Sequence, residues 1–327
     1  MRLIASLFIC LGLAGPAMAQ CTGQDLRQTL SESDRAELKA IVAETPFATG
    51  NRWRAVRGDS VVDLIGTVHL DDPRLDAPAE RIRPLIENAK VVLLEMSAAD
   101  QAELTGALSS RPEMLLLSDT TLPELMDEAS WQALAAAASA RGVPPVMAAK
   151  FQPWYLSMLL SLPPCATANL TDAQGLDGRI MDMALSAEVP MQSLEAYETV
   201  FNTFSDAPME QQIAMVKAAL VAPDTSEDMF ATLLASYFEE AGTEAWQVSR
   251  LLSRQLAALD PATSDAMFAR MEIDLLDARN RAWIPVIMDA GKAGPIVVAA
   301  GAAHLQGEAG LLNLLKAEGF TLTRKPF

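Results

Sequence analysis

Histidine and basic residues are both scarce in this sequence. The chain of 327 residues holds 2 histidines, and its 25 Lys and Arg residues stand against 42 Asp and Glu residues. The resulting formal charge of -17 repels nucleic acids and anionic membranes, so we set nucleic-acid binding aside as a function class. A surface rich in carboxylates also keeps a protein in solution, with no further role implied.

Several motifs of familiar chemistry are missing as well. The sequence contains no GxSxG nucleophile elbow, no HExxH zinc motif, no P-loop and no GxGxxG pattern followed by an acidic residue. It holds 3 cysteines, and Cys165 has no nearby base in the sequence that would activate a nucleophilic thiol. After the N-terminus, no apolar run approaches the roughly 18 residues that span a bilayer. We therefore expect a protein without an integral membrane span.

The N-terminus has the regions of a secretory signal peptide. A short basic start and an apolar run precede Ala17-Met18-Ala19, which fits the small-x-small cleavage rule. We predict a signal peptide over residues 1–19 and a mature chain over residues 20–327, which is periplasmic or secreted. Lipidation of Cys21 is disfavoured, because Gln20 occupies the position where a lipobox needs a small residue.

Export would place the two cysteines of the mature chain in an oxidising compartment. Cys21 and Cys165 are therefore candidates for one disulfide. That bond would tie the N-terminal segment of the mature chain to the loop that contains Pro163 and Pro164. Two free buried thiols are the alternative.

Apolar strand-like runs occur near both ends of the chain. Residues 53–65 have the pattern of a β-hairpin around a Gly-Asp turn, and residues 91–95, 191–195 and 296–300 have the pattern of short buried strands. Residues 320–324 are the last predicted strand. Helical patterns occupy the middle of the chain. We predict an α/β fold in one domain, with a mostly parallel sheet, flanking helices and a helical insertion.

The predicted helices follow from apolar residues at helical spacing. The segment that starts at residue 263 contains Pro285, where we expect an interruption. The predicted ranges are 78–89, 122–140, 154–162, 176–187, 209–220, 226–240, 244–259, 263–288 and 308–318.

Both histidines stand in the same local setting, a GxxH segment after an apolar strand. His69 follows Gly66 in DLIGTVHL, and His304 follows Gly301 in VAAGAAHL. Glycine makes up 17 of 327 residues, so composition alone seldom places it three residues before both histidines. Ligands of open parallel sheets bind beyond the carboxyl ends of the strands, and glycine permits close approach there. The pair indicates a functional site, and two buried structural histidines are the alternative.

Two glutamates end predicted strands in the same manner. Glu95 closes VVLLE and Glu195 closes MQSLE. A buried acid is costly unless it is paired or bound to a metal. Two imidazoles and one or two carboxylates suit a divalent ion such as Zn, Mn or Co, which acidifies a bound water or polarises a carbonyl. The same groups suit a metal-free acid/base set, and salt bridges or helix capping are the structural alternative.

Three further polar residues are weaker candidates. Asp177, in QGLDG, stands at the start of a predicted helix, where N-capping is the default explanation. Arg279 and Asn280 lie together in DLLDARNRAW. Arg279 suits the binding of a substrate carboxylate or an oxyanion, and an ion pair at the surface or between helices is the alternative.

These segments together resemble the TraB/GumN/PrgY family, which includes the Tiki proteases. The resemblance rests on the paired GxxH segments and on VVLLEM, GLDGRI, SLE and LLDARNRAW in that order, and AGAAHLQGEAGLLNLLKAEGF is its most specific part. It covers nearly all of residues 20–327, which we expect to form one TraB/GumN domain, and it is strongest to exported GumN-like bacterial members. The resemblance implies a fold related to erythromycin-esterase-like and haem-binding ChaN-like proteins.

For function, the resemblance implies a metal-dependent peptidase. Carried over from the Tiki members by position, the functional residues are His69, His304 and Glu95. We expect a metal-dependent hydrolase of a peptide or small ester, with the histidines as metal ligands, Glu95 as a ligand or general base and Glu195 as a supporting carboxylate. The alternatives are a protein that binds haem or a metal without catalysis and an accessory protein of envelope or polysaccharide assembly. The substrate, the metal and the oligomeric state stay open.

Overall fold

The structure, a computed structural model, describes residues 21–167, 175–256 and 260–327. The predicted signal peptide lies outside these ranges. Within them, the backbone forms one central sheet and a set of α-helices. The helices and strands below are those that position the candidate site.

The central sheet has six strands. They are β1 Arg52–Arg57, β2 Ser60–Thr67, β3 Val92–Leu94, β4 Met191–Ser193, β5 Ile296–Gly301 and β6 Thr321–Arg324. Their order in the sheet is β4-β3-β5-β2-β1-β6. Strands β4, β3, β5 and β2 run parallel, whereas β1 is antiparallel to both β2 and β6. The predicted α/β fold with a mostly parallel sheet is confirmed.

The predicted β-hairpin is formed by β1 and β2. Arg57 pairs with Ser60 at its tip, and Gly58 has a φ of 58°. Glycine adopts this left-handed conformation without the strain of a Cβ atom, which is why the turn forms here.

Strand β5 lies between β2 and β3. Val298 pairs with Leu64 on one side and with Leu93 on the other, and all three side chains are buried. The first two parallel strands of the chain are therefore not neighbours, and the strand of the second GxxH segment separates them. Because β2, β5, β3 and β4 are parallel, the residues that follow each of them reach the same edge of the sheet.

The described residues form sixteen α-helices. They are α1 Glu32–Glu44, α2 Asp76–Glu87, α3 Ala98–Ser110, α4 Leu122–Leu125, α5 Glu128–Ser139, α6 Pro145–Ala148, α7 Pro153–Leu160, α8 Pro164–Thr167, α9 Leu176–Ser186, α10 Glu198–Ser205, α11 Met209–Ala219, α12 Pro223–Phe238, α13 Gly242–Leu256, α14 Pro261–Glu272, α15 Ala278–Ala290 and α16 Leu311–Ala317.

Helices cover both faces of the sheet. On one face, Trp283 of α15 and Leu315 of α16 belong to an apolar cluster with sheet residues such as Val298. On the other, Ile82 of α2 and Ile180 of α9 cluster with sheet residues such as Ile65 and Val297. Burial of about 25 cal/mol for each Å² of apolar surface stabilises this layered arrangement. A separate apolar cluster, with residues of α5, α7 and α11, forms the core of the helical insertion.

Two helix predictions need correction. The predicted helix 122–140 is two helices, because Asp127 caps α5 by accepting a hydrogen bond from the Ser130 N–H. The interruption expected near Pro285 is also wrong. Pro285 lies inside α15, and the irregular part is a π-helical turn at Ile273–Asp277 between α14 and α15. Packing of α15 against the sheet holds this helix together past the proline.

Cys21 and Cys165 are joined by a disulfide, as predicted. Their Cα atoms lie 5.4 Å apart, although 144 positions separate them in the sequence. Such a bond stabilises a fold by limiting the unfolded chain. Over the described residues, we find no helix with the length and apolar character that crossing a membrane requires.

Candidate active site at the carboxyl edge of the sheet

The carboxyl edge of the parallel strands gathers the polar residues that the sequence singles out. Thr67 pairs with Gly301 at the ends of β2 and β5, so His69 and His304 follow two paired positions. Glu95 and Glu195 follow the ends of β3 and β4, which are also paired. Topology alone therefore accounts for the convergence of four side chains that lie far apart in the sequence.

Arg279 lies at the centre of this group. Its Nη2 is 2.7 Å from Oε2 of Glu95, and its Nε is 2.8 Å from Oε1 of Glu195. Its Nη1 donates a hydrogen bond to the Leu275 carbonyl at 3.0 Å. Burial alone would lower the pKa of Arg279, but the two glutamates raise it. Arg279 is 8% exposed, and its guanidinium stays charged, so it neutralises the two largely buried carboxylates.

Trp283 contacts Glu195, His304 and Arg279. Its Nε1 donates a hydrogen bond of 3.1 Å to Oε2 of Glu195. The same indole has its ring centroid 4.5 Å from that of His304, and the guanidinium carbon of Arg279 lies 4.8 Å from its centroid. One buried aromatic side chain thus orients an acid, a base and a cation at once.

Glu95 is held as an anion. Its Oε1 accepts a hydrogen bond of 2.7 Å from the Gly301 N–H, and its Oε2 accepts the one from Arg279. Burial alone would raise the pKa of Glu95. The two nearby histidines, Arg279 and the Gly301 N–H outweigh it and lower this pKa to about 2. A Cβ atom on Gly301 would lie 3.3 Å from Oε1, so glycine gives the carboxylate room.

His304 is buried, and its hydrogen bonds fix which nitrogen carries the proton. Its Nδ1 lies 2.7 Å from Oδ1 of Asn280. The amide of Asn280 is oriented in turn, because its Nδ2 donates to the carbonyls of His304 and Ala309 at 3.3 and 3.0 Å. Since Oδ1 can only accept, Nδ1 of His304 carries the proton and Nε2 has the lone pair.

The unprotonated nitrogen of His304 is directed at the charged cluster. Nε2 accepts a long hydrogen bond of 3.4 Å from Nη1 of Arg279 and lies 3.8 Å from Oε1 of Glu95. Burial lowers the pKa of His304 to about 4, with the Arg279 charge acting in the same direction and Glu95 opposing it. At neutral pH this imidazole is therefore an uncharged proton acceptor.

His69 has a different environment. Its Nδ1 lies 2.8 Å from Oδ2 of Asp177, and the Thr67 hydroxyl donates to the other oxygen of that carboxylate. The charge of Asp177 and then its hydrogen bond raise the pKa of His69 to about 9, although partial loss of hydration at the Asp177 contact opposes the shift. The side chain keeps 67% of its surface accessible to solvent. At neutral pH His69 is an exposed imidazolium with its Nε2–H free of the carboxylate.

Close approach of α9 brings Asp177 to His69. The Leu176 N–H donates a hydrogen bond of 3.0 Å to the Val68 carbonyl. A Cβ atom on Gly175 would lie 2.3 Å from that same carbonyl oxygen, so the contact requires glycine. The N-cap residue of α9 is Gly175, and the Asp177 side chain binds Thr67 and His69, which replaces the N-capping role suggested by the sequence.

The two GxxH segments also pack against each other. A Cβ atom on Gly66 would lie 2.9 Å from Cδ1 of Leu305 and 3.0 Å from Cα of Ala302. The Tyr237 hydroxyl donates a hydrogen bond of 3.0 Å to the Gly66 carbonyl. The first glycine therefore makes space for the second segment, which explains its place in the motif.

The predicted metal site does not fit this arrangement. Within residues 21–167, 175–256 and 260–327, no group of three or more His, Cys, Asp or Glu side chains is placed to share a metal ion. The guanidinium of Arg279 occupies the space between Glu95 and Glu195 and contacts Nε2 of His304. The donor set that suggested a divalent ion thus already surrounds a cation of the protein itself.

Sequence reasoning did not find three of the residues that organise the site. Thr67 donates a hydrogen bond to Asp177. Trp283 donates one to Glu195, and Tyr237 donates one to the Gly66 carbonyl. Thr67 lies inside the first GxxH segment and Trp283 inside DLLDARNRAW, so both motifs carried a usable signal. Tyr237 lies in the helical insertion, where nothing in the sequence singles it out.

Comparison with known proteins places the chain in a family. A model of the TraB/PrgY/gumN family matches residues 51–324. The uncharacterized protein YbaP of Escherichia coli (strain K12) is 25% identical over 264 residues, which cover 79% of this chain and 89% of that protein. YbaP of Shigella flexneri is 25% identical over 258 residues, which cover 77% and 87%. The family resemblance predicted from the motifs is confirmed, and the chain belongs to the TraB/PrgY/gumN family.

Proposed function

We propose that this protein hydrolyses acyl bonds, with His304 as proton acceptor and His69 as proton donor. One observation carries the proposal: the two histidines lie beside the same carboxylate, Glu95, but a carboxylate holds one and an amide holds the other. Pairs of titratable groups whose surroundings drive their pKa values apart are typical of acid/base catalysis. The peptide bond is the preferred substrate, because the family resemblance includes peptidases, and small esters come second.

His304 suits the role of base. Its proton on Nδ1 is held by Asn280, so the lone pair on Nε2 is the one available for catalysis. A water molecule near Glu95 that replaces the long 3.4 Å contact with Arg279 would give its proton to this lone pair. The ring cannot rotate away, because Trp283 packs against its face. A pKa of about 4 keeps it uncharged across the neutral range.

His69 suits the role of acid. Asp177 anchors its Nδ1–H, which leaves the Nε2–H for a leaving group or a developing oxyanion. The side chain is exposed, as a group that meets substrate must be. Its pKa of about 9 keeps the proton in place at neutral pH.

Arg279 has a positioning role in this proposal. Its donors are engaged by Glu95, Glu195, the Leu275 carbonyl and, at 3.4 Å, Nε2 of His304, so it holds the carboxylates between the histidines and does not bind substrate directly. The positive charge also keeps Glu95 ionised, and the Glu95 charge favours a proton on His69, although the Arg279 charge itself lowers the pKa of His69. We derive no step through a metal ion, because the donor set does not fit one.

We also propose that the protein acts in the periplasm or outside the cell. The Cys21–Cys165 disulfide supports an oxidising compartment. The signal-peptide pattern over residues 1–19 supports export.

The test is a hydrolase screen of the purified protein, without a histidine tag, in buffer with a chelator. Quenched fluorescent peptides and nitrophenyl esters are the substrates, and His69→Gln, His304→Gln and the exposed control Asp289→Asn are the variants. We expect activity in the wild type and the control and a loss of about 100-fold or more in both histidine variants. Activity that survives both histidine substitutions, or that requires added Zn, Mn or Co, would contradict the proposal.

The pH dependence follows from the two histidines. Below about pH 4 His304 gains a proton and stops accepting one, and above about pH 9 His69 loses the proton that it donates. We therefore expect kcat/KM to be highest between these limits and to fall on both sides. His69→Gln should flatten the alkaline limb of the residual activity, which is measured with the best substrate from the screen.

A further inference from the structure

The strand β6 leaves one edge of the sheet open. It has β1 on one side, and in the part of the chain that the structure describes no strand lies on its other side. The N–H of Lys325 donates a hydrogen bond of 2.9 Å to the Arg52 carbonyl in β1. Residues bonded in this way alternate with residues whose N–H and C=O point away, so Leu322 and Arg324 direct theirs outward. The edge therefore offers backbone donors and acceptors to one further strand.

The two strands at this edge carry charge of one sign. The segments 52–57 and 321–325 contain no Asp or Glu, although the whole chain has a formal charge of -17. The basic residues of these segments are Arg52, Arg54, Arg57, Arg324 and Lys325. This edge therefore attracts anionic groups, in contrast to the acidic chain as a whole.

Several of the basic side chains share one face of the sheet. Ala55 of β1 belongs to the apolar cluster beneath α15 and α16. Because side chains alternate along a strand, Arg52 and Arg54 lie on the opposite face, and Lys325 lies beside Arg52. Arg81 of α2 borders this face, because its charge acts on Arg52. We call Arg52, Arg54, Lys325 and Arg81 the basic face.

The basic face has one acid to balance it. Nε and Nη2 of Arg54 donate to the carboxylate of Asp63 at 2.9 and 2.8 Å. Among the described residues, neither Arg81 nor Lys325 forms an ion pair, and Arg52 donates to a backbone carbonyl. Burial lowers the pKa of Arg52, and Asp63 opposes this shift. The charges of Arg54 and Arg81 lower this pKa further, as expected where cations outnumber acids.

The charge selects among the strands that could pair with this edge. A second copy that paired through its own β6 would bring two basic strands together, and like charges on facing strands repel. An acidic strand would meet the basic face with the opposite charge. Its acids should stand at alternate positions, because only every second side chain of a strand reaches one face.

We propose that the β6 edge and the basic face bind an acidic peptide segment, which adds to the sheet as an extended strand. The outward N–H and C=O groups of Leu322 and Arg324 bind its backbone, and the basic face binds its alternate carboxylates. None of the side chains that build the candidate active site belongs to this surface. The proposal is therefore independent of the hydrolase, and binding is measured without an activity assay.

Three peptides with blocked ends test the proposal by fluorescence anisotropy. The first alternates Glu and Thr, the second has Gln in place of Glu, and the third keeps the composition of the first but places its Glu residues together. We expect the first to bind about tenfold more tightly than either of the others, because only its acids all reach the basic face. Equal binding of the first and the second peptide would overturn the proposal. Equal binding of the first and the third would show charge attraction without an added strand and would also overturn it.

Hydrogen exchange of the backbone amides locates the added strand. With the first peptide at about ten times its Kd, we expect the Leu322 and Arg324 amides to exchange about tenfold more slowly, because new hydrogen bonds cover them. The Thr323 amide, which faces β1, is the internal control and should change little. Unchanged exchange at both outward amides would contradict strand addition.

A pair of variants on one helix tests the basic face. Arg81→Gln removes one of its cations, whereas Arg83→Gln removes a cation from the groove between α2 and α9. We expect Arg81→Gln to weaken binding of the first peptide about threefold and Arg83→Gln to leave it unchanged. Equal weakening in both variants would argue against the basic face. Sedimentation of the protein alone tests the other occupant, and a dimer that Arg81→Gln dissociates would make a second copy the partner and overturn the proposal.

Discussion

The two GxxH segments place their histidines at the same edge of the sheet but in opposite surroundings. His69 is exposed and has a carboxylate, Asp177, as its partner. His304 is buried and has an amide, Asn280, as its partner. The pKa of the first is raised to about 9 and that of the second is lowered to about 4.

The motif sets the position of each histidine at the sheet edge, whereas the side chain bound to its Nδ1 sets its protonation state. The glycine and the strand end bring each histidine to the edge. The partners come from α9 and α15, far away in the sequence. One repeated motif thereby places a protonated and a neutral imidazole at one edge, which two identical environments would not do.

The largest effect on stability should come from the loss of Arg279, the cation that contacts Glu95, Glu195 and His304. Arg279→Met leaves Glu95 and Glu195 buried without their charge partner, so we expect a loss of about 3–5 kcal/mol in the free energy of unfolding. Urea unfolding measures it. The control Arg281→Met removes an exposed guanidinium that lies 3.7 Å from Asp277 and should change stability by less than about 0.5 kcal/mol. Equal losses in the two variants would contradict the central role of Arg279.

The second prediction concerns a variant that should reduce the difference in pKa between His69 and His304. Asn280→Asp gives His304 a carboxylate partner like that of His69, so its pKa should rise from about 4 towards the ordinary value near 6.5. The variant also loses the Nδ2 donor to two carbonyls, at a cost of about 1–3 kcal/mol. NMR titration and urea unfolding measure the two effects. Asn88→Asp, at the exposed C-terminal end of α2, is the matched control. It should leave the pKa of His304 unchanged and cost less than about 1 kcal/mol, because its Nδ2 donates to one exposed carbonyl, that of Pro84.

The third prediction compares the two motif glycines. Gly66→Ala would bring a Cβ atom within 3.0 Å of backbone at Ala302, and we expect a loss of about 1–3 kcal/mol. Gly301→Ala meets the movable Glu95 carboxylate at 3.3 Å, and we expect a loss below about 1 kcal/mol. Thermal unfolding compares them. A larger loss in Gly301→Ala would show that the second glycine makes the tighter contact.

The smallest effect on stability should follow from Asp177→Asn, because its partner His69 is largely exposed. The pKa of His69 in the folded protein, about 9, exceeds its unfolded value, so this pair stabilises the fold below pH 6.5 and stops doing so as the pH rises through 9. The variant should therefore be less stable than the wild type at pH 6.5 and equal to it near pH 10. Urea unfolding at the two pH values checks this, and a constant difference would contradict the pairing.

Much of the fold and the edge position of the site could be predicted from the sequence. The strand of the second GxxH segment is a continuous apolar run because it is buried on both faces. The strand of the first GxxH segment, β2, ends at the same edge because it runs parallel to β5. Both properties are local or follow from general rules of parallel sheets.

The partners of the histidines could not be predicted in the same way. Asp177 and Asn280 come from helices whose placement depends on tertiary packing, and Arg279 has the local sequence of an ordinary helical arginine. The π-helical turn just before Arg279 has no sequence signature, whereas a proline does, so the sequence predicts an interruption at Pro285. The donor types suggested a metal, whereas a side chain from 84 positions beyond Glu195 supplies the positive charge.

The most direct test of the account is an NMR titration of the two histidines, which are the only ones in the chain. The protein is labelled with ¹⁵N histidine and purified without a histidine tag, and His69→Gln assigns the two signals. We predict that His69 titrates near pH 9 and that His304 stays neutral, with its proton on Nδ1, down to about pH 4. Two histidines that titrate together near pH 6.5 would contradict the account.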